Sequence, residues 1–248
     1  MVRAHQRMTV RGSTFIRLLA RFADVEGSQS HSSLSDRLSQ WLDWNHALAL
    51  STALDGAPSH TPATGGVTDD DYVRVRSSLV KAMADDFESP GITHHRPGDS
   101  SARHGDASEA TGFTVFRQRY LARQRAMQSA AGNLRGRLRD MLAGQSTAMA
   151  RLAAVDAAME LALSPREQAL LAAVPALLER HYERLRQARA TPADVPVSVL
   201  PTAATHDAWL NVFRKDMQSV LLAELDVRFQ PVEGLLEALR TCQQGHHV

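Results

Sequence analysis

Three kinds of side chain here could do chemistry if the fold gathered them: histidines, a run of arginines and two acidic clusters. Among eleven histidines, His94, His95 and His104 lie close together, and His246 and His247 follow the single cysteine, Cys242. A zinc site needs several such ligands held tetrahedrally, with further groups that orient them. Both sets fall in segments with little to bury, so neither offers a frame, and no metal or other cofactor is expected. Asp69, Asp70 and Asp71, and then Asp85, Asp86 and Glu88, lack the spaced oxygen ligands and central glycine of a calcium loop. The first trio suits the positive end of a helix instead. There is no glycine-rich phosphate loop, Gly-x-Ser-x-Gly elbow, His-Glu-x-x-His or Cys-x-x-Cys, so no catalytic residue is nominated and the chain is read as a non-enzyme.

The arginines are the notable charge feature. Arg117, Arg119, Arg123, Arg125, Arg135, Arg137 and Arg139 occur between Phe113 and Arg139 with no intervening Asp or Glu. Such a run could track phosphates, but at about 100° per residue these positions spread around a helix instead of lining one face. A solvated helix surface, or a face meeting acidic partner residues, is the favoured reading, and nucleic-acid binding through this segment is the alternative. The net charge of +1 supplies no bulk attraction to nucleic acid or anionic membrane.

The elements that must carry these residues are helical. Aromatics make up only 5% of the 248 residues, while Ala, Leu, Arg and Gln recur in runs that favour helix, so an all-α fold is expected. Phe15, Leu18, Leu19 and Phe22 mark a first helix. Ser33 with Asp36 could cap a second, bearing Leu34, Leu38, Trp41, Leu42, Leu48 and Ala49, whose Trp41 and Trp44 would anchor the first. These make an amino-terminal helical pair over 1–55 that forms a small bundle. Flexible residues 56–67 lead to a helix over 68–88, opened by Thr68 and carrying Tyr72, Val73, Leu79, Val80, Met83 and Phe87 on its core side. Residues 89–107 read as a disordered linker.

From 108 to 163 there is no proline, and apolar residues recur at three and four, which predicts one long helix. Gly132, Gly136 and Gly144 weaken it, and a break near Gly132 is the alternative. Ser164-Pro165-Arg166-Glu167 has the form of a capping box with proline at the first helical position. A tight turn there would fold the next helix back antiparallel, giving a coiled-coil-like hairpin over 108–190 in which Pro175 kinks or splits the return arm. A Pro-rich connection over 191–201 precedes carboxy-terminal helices over 202–243, one on Trp209, Val212, Phe213, Met217, Val220, Leu221 and Leu225 and another opened by Pro231, before a tail at 244–248.

Leu163 to Leu171 also resembles the opening of the helix-turn-helix domain of LuxR-type regulators. A glycine turn and a polar recognition helix should follow, whereas Val174-Pro175-Ala176-Leu177-Leu178 continues an apolar stripe, so the likeness reduces to a shared capping box.

Arg11-Gly12-Ser13-Thr14-Phe15-Ile16-Arg17-Leu18-Leu19-Ala20, with Leu34-Ser35-Asp36-Arg37-Leu38-Ser39-Gln40-Trp41-Leu42-Asp43-Trp44, resembles an uncharacterised family of proteobacterial proteins, all-helical and about 250 residues long. That family is catalogued as a domain of unknown function and brings no catalytic residues. The resemblance implies an adaptor in an envelope-associated assembly, because relatives are encoded beside membrane-anchored coiled-coil proteins and OmpA-like, cell-wall-binding proteins.

These readings converge on a cytoplasmic, non-catalytic helical scaffold or adaptor that binds a partner protein or another copy of itself. Arginines interrupt the first apolar stretch, which excludes an export signal; no window approaches a membrane span, and one cysteine suits a reducing compartment. The expected contact residues are Leu134, Leu138, Met141, Met149, Leu152, Leu171, Leu178 and Leu185, on a seam too long for the available helices to cover.

Overall fold

A computed structural model describes residues 13–23, 40–56, 67–88, 107–190 and 208–245. All regular structure among them is helical: α1 (Thr14–Ala23), α2 (Trp44–Asp55), α3 (Asp69–Glu88), α4 (Ala107–Ala143), α5 (Thr147–Leu171), α6 (Val174–Ala190) and α7 (Ala208–Gly245). The expected cap at Ser33 and Asp36, most of the three linkers, the extreme tail and the five clustered histidines lie outside the described residues.

The helices build two compact units, neither of them a continuous stretch of chain. Unit one takes α1, α3 from Ser78, α4 as far as Ala126, α6, and α7 through Leu225. Unit two takes α2, the start of α3, the rest of α4, α5, and α7 from Asp226. At 20, 37 and 38 residues, α3, α4 and α7 are long enough to contribute to both units.

In unit one, α1 packs on α6. Its Phe22 is buried and stacks on His181 with ring centroids 4.4 Å apart. The Nε2 atom of His181 lies 2.8 Å from Asp216 Oδ2, and Arg21 donates to the other oxygen of that carboxylate at 2.7 Å. Arg184 donates to the Phe22 carbonyl, so α1 is held at its end by stacking and hydrogen bonds together. Tyr182 centres an aromatic cluster, 5.1 Å from both Trp209 and Phe213 and 5.6 Å from Phe113. Glu224 is fully buried; Tyr120 donates to it at 2.5 Å and Gln124 donates to both its oxygens at 3.1 Å. Such bonds are what make a buried carboxylate tolerable.

In unit two, α4 and α5 form an antiparallel hairpin. It turns at Gly144-Gln145, whose amides donate to the carbonyls of Met141 and Leu142 at 3.1 and 3.0 Å. Ser146 then caps α5 by accepting from the Met149 amide at 3.3 Å. Leu134, Leu138 and Leu142 are buried on α4, whereas the buried positions early in α5 are the small Ala150 and Ala153, a pairing that allows close helix approach. Each buried leucine contributes about 1.5–3 kcal/mol. Arg135 grips Asp156 through two nitrogens at 2.8 and 2.7 Å, and Arg139 bonds both Asp156 and Glu160. α2 rests on α5. At the start of α3, Thr68 and Asp71 cap each other's amides, and further along Tyr72 donates to Glu233 of α7 at 2.5 Å.

Several expectations need correction. The long helix runs unbroken through Gly132 and Gly136 and stops at Gly144, so the antiparallel hairpin exists but folds some twenty residues before Ser164. Ser164-Pro165 lies inside α5. Pro165 forfeits one hydrogen bond there, to the carbonyl of Leu161, and Leu161 is so exposed that water can take its place. The chain breaks instead at Ala172-Ala173, leaving Pro175 in the first turn of α6, where its missing amide has no partner to lose. Pro231 opens no new helix; it lies within α7.

The second helix is likewise not continuous from Leu34 to Ala49. The chain leaves helix at Leu42-Asp43, and Asp43 restarts it by accepting from the His46 amide at 2.9 Å. Trp44 is exposed instead of packed as an anchor, and Trp41 lies beneath Arg166. Val73 and Val212, placed on core faces from the sequence, are also exposed.

Candidate functional site

Burial decides which of the expected contact residues could meet a partner. Leu134, Leu138, Leu171 and Leu178 are buried within the chain itself. Their apolar surface is already removed from water, and the expectation that they form an open seam is corrected. Met141, Met149 and Leu185 are half-buried, and Leu152 alone of the eight is exposed, at 38%.

The arginines divide in the same way. Arg119 donates to the Asp86 carbonyl at 2.9 Å and Arg123 grips the Asp86 carboxylate at 2.6 and 2.9 Å. The hydrogen bond to Asp86 is the main cause holding the Arg123 pKa above its ordinary value. Arg135 and Arg139 face Asp156 and Glu160, and Arg137 lies 3.9 Å from Asp71. Arg117 and Arg125 are exposed. Most of the run therefore serves intrachain ion pairs.

The exposed apolar surface lies elsewhere. In α2, His46, Ala49, Leu50 and Ala53 are half-buried, while Trp44 is 81%, Leu48 57% and Leu54 58% exposed. Trp44 and Leu48, four residues apart, share one face of the helix. The twelve residues of α2 include no Lys, Arg or Glu, unlike an ordinary solvated helix. On α5, Leu161 and Leu170 are exposed as well.

Unit two also holds a cavity of about 470 Å³. Gly132 and Arg135 of α4, Ser164 and Glu167 of α5, Val227 and Pro231 of α7, and Trp41 are among the residues around it. The Arg166 guanidinium sits 5.6 Å above the Trp41 ring, within reach of a cation–π contact. Arg228, whose side chain is only 6% exposed, meets Glu167 at 3.3 Å. Sequence reasoning missed this site because its walls come from four separate stretches; the one local signal was two helix-interrupting prolines and a helical glycine.

Among the described residues there is no metal-binding group of His, Cys, Asp and Glu side chains, and no helix is long and apolar enough to cross a membrane. No curated protein and no solved structure matches the chain. The family model that does match, over residues 1–241, is described as "Protein of unknown function (DUF3348)", and the chain belongs to that family.

Proposed function

We propose that the protein is a cytoplasmic, non-catalytic helical adaptor that holds a partner protein against the outer face of α2. The observation that carries this reading is the Trp44–Leu48–Leu54 surface: three large apolar side chains, each more than half exposed, on a helix without Lys, Arg or Glu. Tryptophan at the middle of a desolvated contact is the side chain that most often dominates binding energy. The α4–α5 hairpin gives this face a rigid base, because its own leucine seam is covered within the chain. The resemblance noted in the sequence favours an envelope-associated assembly as the setting.

The test is nuclease-treated affinity purification of the natively expressed, tagged protein beside a Trp44→Ser, Leu48→Ser variant. Both positions are exposed, so the variant should fold as the parent does. A partner recovered with the parent and lost with the variant supports the adaptor. Equal recovery from both refutes the α2 face, and a partner lost on nuclease treatment alone moves the function to nucleic acid.

A further inference from the structure

We propose that the cavity of unit two is a binding site for a small planar anion, an aromatic ring carrying one carboxylate or phosphate group. Its construction is costly to the fold in a way that packing does not explain. Pro231 has no N–H to give the carbonyl of Val227 four residues earlier, and both residues line the cavity. Pro165 sits inside α5 between Ser164 and Arg166, which line it too. Gly132 weakens α4 at the same place, yet a Cβ built on it meets no atom within 4 Å. This glycine is therefore not needed for a close helix approach; the space it leaves belongs to the cavity.

The charges select the ligand. Arg135 and Arg139 are balanced by Asp156 and Glu160, and Arg228 is matched by Glu167. That leaves Arg166, whose guanidinium faces the Trp41 ring at the edge of the cavity. A flat apolar body packed on Trp41 with its anion on Arg166 would satisfy both, and a donor on the ring would meet the Val227 carbonyl. The volume of about 470 Å³ lies in the range of small-molecule sites.

The experiment uses the full chain and two probes on the same ring, 4-hydroxybenzoate and 4-hydroxyphenyl phosphate, read by ligand-observed saturation-transfer NMR, with neutral 4-hydroxybenzyl alcohol as control. Binding of either acid, preferred over the alcohol and weakened at least ~10-fold (about 1.4 kcal/mol) by both Arg166→Gln and Gly132→Leu, is expected; the preferred probe then says whether carboxylate or phosphate is the source. Gly132→Leu fills the cavity while raising helix propensity, so circular dichroism should show it folded. No saturation transfer at millimolar probe, binding that survives Gly132→Leu, or indifference to Arg166→Gln each overturns the proposal.

Discussion

Replacing glycine by alanine should move stability in opposite directions at two places along α4. At Gly112 a Cβ would stand 2.7 Å from the Tyr182 hydroxyl oxygen and 3.7 Å from the ring carbon that bears it. The first distance is far inside van der Waals contact, so something must shift. Tyr182 is buried with Trp209 and Phe213 both at 5.1 Å from its ring, and the ring cannot swing away without disturbing them. Overpacking of this kind costs about 1–3 kcal/mol. The better helix propensity of alanine returns about 1 kcal/mol, which leaves Gly112→Ala less stable by about 1 kcal/mol. At Gly136 nothing lies within 4 Å, so only the propensity gain operates and Gly136→Ala should be more stable by about 1 kcal/mol. The two variants should then differ by about 2 kcal/mol, or roughly 4–8 °C in Tm for a chain of this size. Urea and thermal unfolding followed by far-ultraviolet circular dichroism measure the difference. Equal shifts of the same sign would refute the close approach of α4 and α6 at Gly112.

Three further outcomes follow from the same geometry. Glu224→Leu strips the Tyr120 hydroxyl and the Gln124 amide of a buried acceptor, and urea unfolding should show a loss on the order of 3 kcal/mol, more than for Glu224→Gln, which can still accept from Tyr120. Burial, then the hydrogen bond to Glu233, push the Tyr72 phenol from its ordinary 10.0 up to about 12. The folded state thus keeps a proton that the unfolded state releases, so this stabilisation is complete below pH 10.0, fades as pH rises and is lost through about 12. Unfolding of Tyr72→Phe beside the parent across that window should show the parent's advantage shrinking, and a constant gap would contradict it. Pro165→Ala restores an amide inside α5 and should raise stability by about 2 kcal/mol, where a proline at a true first helical position would give no such gain.

How far the sequence reached follows from what kind of interaction decided each element. Periodicity is local, and it placed α1, the α3 start at Thr68 and the buried positions Phe213, Met217, Val220, Leu221 and Leu225 of α7 where the structure has them. Turn position is not decided by local sequence alone. Ser164-Pro165-Arg166-Glu167 and Gly144-Gln145-Ser146 both spell a helix boundary, and the first is the stronger signal. The second wins because a turn there brings Arg135 and Arg139 opposite Asp156 and Glu160, and lets Leu134, Leu138 and Leu142 bury. None of that energy is visible at either turn.

The same reasoning explains why the candidate contact residues were the hardest to read. A leucine stripe looks alike in sequence whether its cover is intramolecular or a partner, and here burial of Leu134, Leu138, Leu171 and Leu178 shows it is intramolecular. An arginine run looks basic until its carboxylates arrive from 17 to 37 residues away in the chain, as Asp86 and Asp156 do. The net charge of +1 already shows that acids nearly equal basic residues in number, but not which of them meet. Arg166 stands out only after that pairing is known, because its partner is an aromatic ring. What intrachain pairing leaves over, an exposed apolar face on a helix without Lys, Arg or Glu and a cation over a tryptophan, therefore says more about candidate contacts than the longest stripe or the densest run of charge.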